Sequence, residues 1–218
     1  MSASVFQPRF AALPREVAVF PLPGALLLPG GHLPLNIFEP RYLEMTFDAL
    51  GAGRMFAMIQ PRDPEEDPSP LYSVACLGRI VRFAETDDGR LLVTLEGVSR
   101  FLVGEELPLY KGYRRVEADY GPYADDLTPP PATLGLDRPG LFEALKAYAA
   151  RHELSFNWKA IEEVPEPALV NSLAMACPFE PSEKQALLEA ETPSQRAELL
   201  TGLLRIGAAS SLMGGTTQ

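Results

Sequence analysis

Two hydrophobic periods divide the chain. Between residue 16 and about residue 122, β-branched and aromatic residues cluster in runs with partial apolar–polar alternation. They predict strands over 17–22, 54–60, 73–84, 90–107 and 112–120. Asp88-Gly89, between the third and fourth runs, predicts a tight hairpin, because a type I′ turn needs positive φ at both central residues. Gly78, Gly97 and Gly104 interrupt long runs and suit bulges or corners, so the strands are expected to bend into a coiled sheet or small barrel. One helix breaks this half. Pro40 suits its first turn, Leu43, Phe47 and Leu50 recur at helical spacing, and Gly51 can close it.

Beyond the breakers Gly121-Pro122 and Thr128-Pro129-Pro130-Pro131 the period lengthens to that of helices. Asp137 is placed to cap a helix carrying Leu141, Leu145, Tyr148 and Ala149. Pro167 opens another with Leu169, Val170, Leu173 and Cys177, ended by Pro178, and Pro181 opens a third. Thr192-Pro193-Ser194-Gln195 reads as a capping box before a last helix with Leu199, Leu200, Leu203 and Leu204. Leu141, Leu145, Leu173, Leu187, Leu200 and Leu203 are expected to face a shared helical core. The stretch 61–70 reads as a solvated loop, and the tail at 213–218 is expected to fray. The division is therefore a β-rich part over 1–125 and a helical part over 126–218.

Charge narrows the partners. The 218 residues include 29 acidic against 19 basic, a net −10, which disfavours nonspecific binding to nucleic-acid backbones or anionic membranes. Residues 1–15 lack the pattern of a secretory signal. The most apolar stretch, 17–35, holds four prolines and three glycines and cannot make a membrane helix of about 20 residues. Cys76 and Cys177 are distant and in apolar contexts, so reduced buried thiols and a cytoplasmic location are expected.

Four stretches carry a family resemblance. Stretch 19–42 alternates short apolar runs with Pro and Gly and closes on Glu39-Pro40-Arg41-Tyr42. Stretch 71–80 reads Leu-Tyr-Ser-Val-Ala-Cys-Leu-Gly-Arg-Ile, and 95–101 reads Leu-Glu-Gly-Val-Ser-Arg-Phe. Stretch 181–189, Pro-Ser-Glu-Lys-Gln-Ala-Leu-Leu-Glu, follows in the helical part. In this order they resemble the substrate-binding domain at the N-terminus of Lon proteases, the ATP-dependent La family, over about positions 15–205. The resemblance implies an α+β fold: a six-stranded β pseudobarrel of the kind also seen in RNA-binding PUA-type domains, then a C-terminal α-helical bundle. It extends to neither the ATPase nor the Ser-Lys peptidase part of a Lon protease, so a stand-alone recognition module is expected.

Catalytic chemistry finds no footing in the residues. An ATPase needs a Gly-rich loop ending in Gly-Lys-Ser/Thr, and none of Lys111, Lys146, Lys159 and Lys184 follows one. Gly-x-Ser-x-Gly is absent. His32 and His152 have no ligand-spaced partner, so neither a metal nor another cofactor is expected. The acidic pairs Glu65-Glu66, Asp87-Asp88, Glu105-Glu106 and Asp125-Asp126 read as solubilising. Glu39 can cap the helix it precedes while Arg41 reaches a carboxylate or carbonyl, and a structural role is assigned to both, as to Gly97 and Arg100.

Surface hydrophobicity remains. The run from Ala25 to Leu35 holds more Leu and Pro than one short strand needs. Leu26, Leu27, Leu28, Pro29, Leu33 and Pro34, with Phe38 and Tyr42 beside them, are the expected contact surface for unfolded or extended polypeptides, by strand pairing and side-chain pockets. The opposing expectation is that these leucines fill the barrel. A protease or chaperone is the expected further partner, in an adaptor or regulatory role. A nucleic-acid-binding module and a small-molecule-binding protein are the alternatives. The net charge and the absence of a Lys/Arg-aromatic cluster count against the first, and the lack of Cys-x-x-Cys pairs against the second.

Overall fold

The structure, a computed structural model, describes residues 8–66 and 68–209, so the tail expected to fray at 213–218 lies outside it. The chain forms two compact units. One holds the chain up to Pro129 and takes back Pro178–Leu188. The other holds Pro130–Cys177 and the chain from Glu189 onward.

The first unit is built on six strands: β1 (Glu16–Pro21), β2 (His32–Ile37), β3 (Met55–Ile59), β4 (Val74–Glu85), β5 (Leu91–Tyr110) and β6 (Tyr113–Asp119). β1 lies parallel to β3 and antiparallel to β6, and the pairs β3–β4, β4–β5, β2–β5 and β5–β6 are all antiparallel. At 20 residues β5 is long enough to serve two neighbourhoods, β2 and β4 along its first half and β6 near its end. Pairing thus runs from β1 through β3, β4, β5 and β6 back to β1, with β2 left as an edge strand on the far side of β5. The ladder shifts register at Leu77/Gly78 and Ile80/Arg82, and again between Val103 and Glu106 around Gly104. These bulges let the long strands bend. One core cluster joins Val17, Val19, Ala57, Ile59, Leu77, Val98, Phe101 and Val116.

The β4–β5 hairpin differs from the expected type I′ turn. Of its loop residues only Gly89 has positive φ, at 78°, and the last strand pair is Glu85 with Leu91. The connection is longer by a residue or more than a two-residue turn, so a single left-handed glycine suffices.

α1 (Pro40–Gly51) begins at its proline as expected but turns a different face inward. Tyr42, Met45, Thr46 and Ala49 are buried, and Phe47 is 49% exposed, with Leu43 and Leu50 half-buried. The 42/45/46/49 set has the same helical spacing as the expected 43/47/50 set, and Tyr42 decides between them. Its ring sits 4.2 Å from Phe20 on β1, which fixes the helix rotation.

α5 (Pro181–Glu189) belongs to this unit except for its last residue. Buried polar groups fasten it. Gln60 donates to the Pro181 carbonyl (2.9 Å) and accepts from the Gly24 amide (3.1 Å). Gln185 donates to the Val74 carbonyl (3.2 Å), and Lys184 to the Gly24 carbonyl (2.8 Å).

The second unit contains α2 (Arg138–Arg151), α3 (Trp158–Glu162), α4 (Glu166–Ala176) and α6 (Pro193–Ala209). Asp137 caps α2 through the Gly140 amide, and Thr192 and Gln195 exchange the two bonds of a capping box, each 3.1 Å. α2 and α4 both pack on α6, and Leu141, Leu145, Leu173 and Leu200 are buried as expected. Leu203 is only half-buried, because Leu200 and Leu204 define the inward stripe of α6, and Leu187 lies on α5 in the first unit.

Candidate functional site on the outer face of β2, β5 and β4

Strand alternation builds this face. Along β5, Leu91, Val93 and Leu95 point inward and are buried, so Leu92 and Thr94 point to the other side of the sheet. The registers extend this into rows. Pro34, Thr94 and Arg82 are cross-strand neighbours, as are Asn36, Leu92 and Ala84. These residues line a concavity of about 790 Å³ together with Val81 at the β4 bulge, and it is bordered as well by Leu35, Val93 and Phe83, a row that the register sets on the opposite side of the sheet. Leu92 is 47% exposed, Phe83 38% and Val81 37%. A hollow of this size, apolar and open on a sheet face next to an edge strand, has the dimensions of a ligand site. Phe38, 60% exposed just past β2, extends the apolar surface beside Arg90, whose guanidinium carbon lies 5.8 Å from its ring.

The expected contact residues divide sharply. Pro34 lines the concavity and Phe38 is exposed, while Pro29 and Leu33 are half-buried. Leu26, Leu27 and Leu28 are interior, at 2%, 1% and 0% exposure, so the expectation of surface contacts there is corrected. Their seat is made by two facing glycines, since Gly78 pairs with Gly97 across β4 and β5. A Cβ on Gly78 would lie 2.8 Å from Leu27 Cδ2, and one on Gly97 would collide with the Leu28 carbonyl. The segment locks down through Gly30 N–H to the Gly97 carbonyl (2.8 Å) and Gly97 N–H to the Gly31 carbonyl (2.9 Å). The absence of two side chains thus creates a trough that the leucines fill. Tyr42 is likewise buried against Phe20, and burial raises its hydroxyl pKa.

Arg100 is 3% exposed and fully engaged. Nε and Nη2 fork onto Asp126 at 2.9 and 2.8 Å, the Arg100 backbone N–H reaches the same carboxylate at 2.9 Å, and Nη1 donates to the Leu188 carbonyl at 3.0 Å. Asp126, read from the sequence as a solubilising acid, is instead the half-buried anchor of this arginine, in a short 3-10 helix (Gly121–Leu127) that the sequence did not announce. Glu39 does not cap α1 with its side chain. Its carboxylate accepts from Arg41 Nε and Nη2 at 3.1 and 2.8 Å, an exposed pair at the helix entry.

A second ionic tie joins α1 to the β5–β6 turn. Lys111 Nζ meets Asp48 at 2.6 Å and Glu44 at 3.3 Å, and Tyr113 donates to Asp48 at 2.9 Å. The bond from Lys111 holds the Asp48 carboxyl below the usual range, and Asp48 in turn raises Lys111. Burial, then the bond to Asp48, pushes Tyr113 up to about 12. Cys76 and Cys177 are buried thiols, and His152 stacks on Tyr148 at 4.1 Å. Among the described residues, no three His, Cys, Asp or Glu side chains gather as metal ligands, and no helix is long and apolar enough to cross a membrane.

A sheet with an open apolar face, whose buried polar groups are spent on structural ties, has the makings of a binding domain. The chain belongs to the ATP-dependent protease La (LON) substrate-binding domain family, whose model matches residues 16–205. It is similar to Lon protease 1 of Thermus thermophilus, 26% identical over 199 residues, covering 87% of this chain and 24% of that one. It is 30% identical to Lon protease 2 of Myxococcus xanthus over 112 residues, 49% of this chain and 13% of that one. The chain thus spans a quarter or less of the length of these proteases. Among solved structures, a Lon N-terminal domain protein from Xanthomonas campestris matches with TM-score 0.59 and 23% identity, covering 86% of this chain and 97% of that one. The N-terminal domain of the Mycobacterium avium complex Lon protease also gives 0.59, with 17% identity and coverage of 91% and 100%. These likenesses establish the fold, a mixed α+β domain with a six-stranded sheet.

Proposed function

We propose that the chain is a non-catalytic recognition module that takes up extended or unfolded polypeptides on the outer face of β2, β5 and β4, and serves as an adaptor or regulator of proteolysis in the cytoplasm. The observation that carries the reading is the open concavity of about 790 Å³, lined on this face by Leu92, Val81 and Pro34 with the exposed Phe38 beside it, in a chain of a substrate-binding family. Exposed aliphatic and aromatic groups of this kind can receive the apolar side chains that unfolded clients share. The edge strand β2 offers backbone groups beside them, although Pro34 removes one donor from that edge. The circuit of pairing from β1 back to β1 is, in this reading, the pseudobarrel that holds the face rigid. The sequence supplies no phosphate-cradling loop, so millimolar ATP with magnesium is expected to leave the melting temperature unchanged.

The test is fluorescence anisotropy with a labelled, permanently unfolded chain such as reduced carboxymethylated α-lactalbumin. Saturable binding in the micromolar range is expected. Leu92→Asp, at a position open to water, should weaken it at least tenfold while leaving the circular dichroism spectrum unchanged. Absence of saturation at high micromolar protein would defeat the reading, as would undiminished binding by a folded Leu92→Asp.

A further inference from the structure

We propose that Arg82 makes this face selective for extended segments in which an acidic residue stands two positions from an apolar one. The proposal rests on the polypeptide-binding reading above and names the class of segment that the face prefers.

The first observation concerns charge pairing. Five arginines lie on the strands, and four of them hold carboxylates: Arg79 with Glu96, Arg100 with Asp126, Arg114 with Glu106 and Arg115 with Glu16. The Arg82 guanidinium has neither an ion pair nor a hydrogen bond among the described residues. A chain of net −10 has carboxylates to spare. Leaving this cation without one places a positive charge on the outer face, and the other nine residues lining the concavity carry no charge.

The second observation concerns spacing. Arg82 and Ala84 point to the same side of β4, and the register puts them in adjacent rows, Arg82 with Thr94 and Pro34, Ala84 with Leu92 and Asn36. Same-side residues on one strand stand about 7 Å apart, and so do residues i and i+2 of any extended peptide. A segment lying along the strands with an apolar side chain on the Leu92 row therefore brings the residue two positions away over the Arg82 row. A carboxylate there meets the Arg82 guanidinium, a Lys meets repulsion, and the intervening residue points to solvent.

A second copy of this chain is a poorer occupant, because two bodies of net −10 repel as they approach. Long-range repulsion also acts between the protein and an acidic peptide. At 0.15 M salt it is screened beyond about 8 Å, while a pair in contact survives. Comparing variants at that salt isolates the contribution of Arg82.

The experiment titrates the full chain into labelled peptides of one apolar composition that differ only in a Leu-x-Asp, Leu-x-Asn or Leu-x-Lys core. Wild type is expected to bind Asp about three- to fivefold more tightly than Asn, the range of a partly exposed ion pair, and Lys most weakly. Arg82→Gln should make Asp and Asn equal, and Arg82→Glu should invert the order in favour of Lys. Both substitutions are at an exposed position, and melting curves verify the fold. If either variant keeps the wild-type preference for Asp while Leu92→Asp still abolishes binding, the selectivity proposal falls and the binding reading stands. If no peptide binds, both fall. A concentration-dependent dimer broken by Arg82→Glu would assign the face to a second copy and overturn the proposal.

Discussion

Replacing Leu27 by Ala examines the interior that this family sequence builds where its apolar run looks like surface. Leu27 is 1% exposed, and Cδ2 rests on Gly78 at the distance where a Cβ would collide. Removing three carbons from a buried leucine costs the lost transfer energy plus a cavity term, about 2–5 kcal/mol in well-packed cores. The size within that range depends on how far the surroundings can collapse. Here one wall is the backbone of Gly78 opposite Gly97, held by β-ladder bonds and carrying no side chain that could swing into the gap. The expected loss is therefore in the upper half of the range, about 3–5 kcal/mol, a large share of the ~5–15 kcal/mol that stabilises an ordinary domain. Urea denaturation followed by circular dichroism measures it as a fall in midpoint at constant slope. Leu92→Ala, on the exposed face, is the control and should change stability by less than about 1 kcal/mol. A Leu27→Ala loss below 1 kcal/mol would refute the burial of this segment. Leu27→Asp carries the same logic further, since a carboxylate there has no water and no partner, and the domain should not fold.

Arg100→Ala removes the buried member of the pair, leaves the half-buried Asp126 carboxylate without its partner, and should cost about 3 kcal/mol in the same urea assay, with part of the loss recovered when Asp126→Leu is added. Gly97→Ala sets a Cβ against the Leu28 carbonyl, a backbone atom that no rotamer change can move. Its loss should lie at or above the top of the usual ~1–3 kcal/mol range for overpacking, read as a lowered melting temperature. Asp48, held low by its bond from Lys111, contributes stability that is present above the carboxyl's unfolded pKa and is lost as pH falls through the folded value. Urea midpoints at pH 7 and pH 3 should therefore differ less in Asp48→Asn than in wild type, and equal differences would remove Asp48 from the acid response.

Five of the six strands and five of the α-helices were legible because their periods are, while β2, a short run interrupted by Pro34, and the five-residue α3 were not read. Leu91, Val93 and Leu95 alternate cleanly, Asp137 and the Thr192–Gln195 pair cap where their chemistry requires, and Pro40 opens α1. What the sequence concealed depends on distant neighbours. Nothing local tells that Gly78 and Gly97 face each other, so the trough that takes in Leu26, Leu27 and Leu28 is invisible until β4 and β5 are paired. The rotation of α1 was lost for a similar reason, since two apolar stripes compete and only the Phe20–Tyr42 contact decides between them. The return of residues 178–188 to the first unit rests on Gln60, Lys184 and Gln185, polar residues that a hydrophobic pattern passes over. The outer face did leave a trace, because Leu92 is an apolar residue at a position where the alternation asks for a polar one. Arg82 left none, since its lack of a partner is a fact about every carboxylate that does not reach it.

The central claim is that polypeptide lands on the outer face of β2, β5 and β4. Amide chemical-shift mapping of the labelled protein, titrated with reduced carboxymethylated α-lactalbumin, tests this residue by residue. The largest perturbations are predicted at Asn36, Arg82, Ala84, Leu92 and Thr94, with Leu26, Leu27 and Leu28 little changed. Saturable shifts confined to the helices of the second unit, with those five amides unmoved, would contradict it.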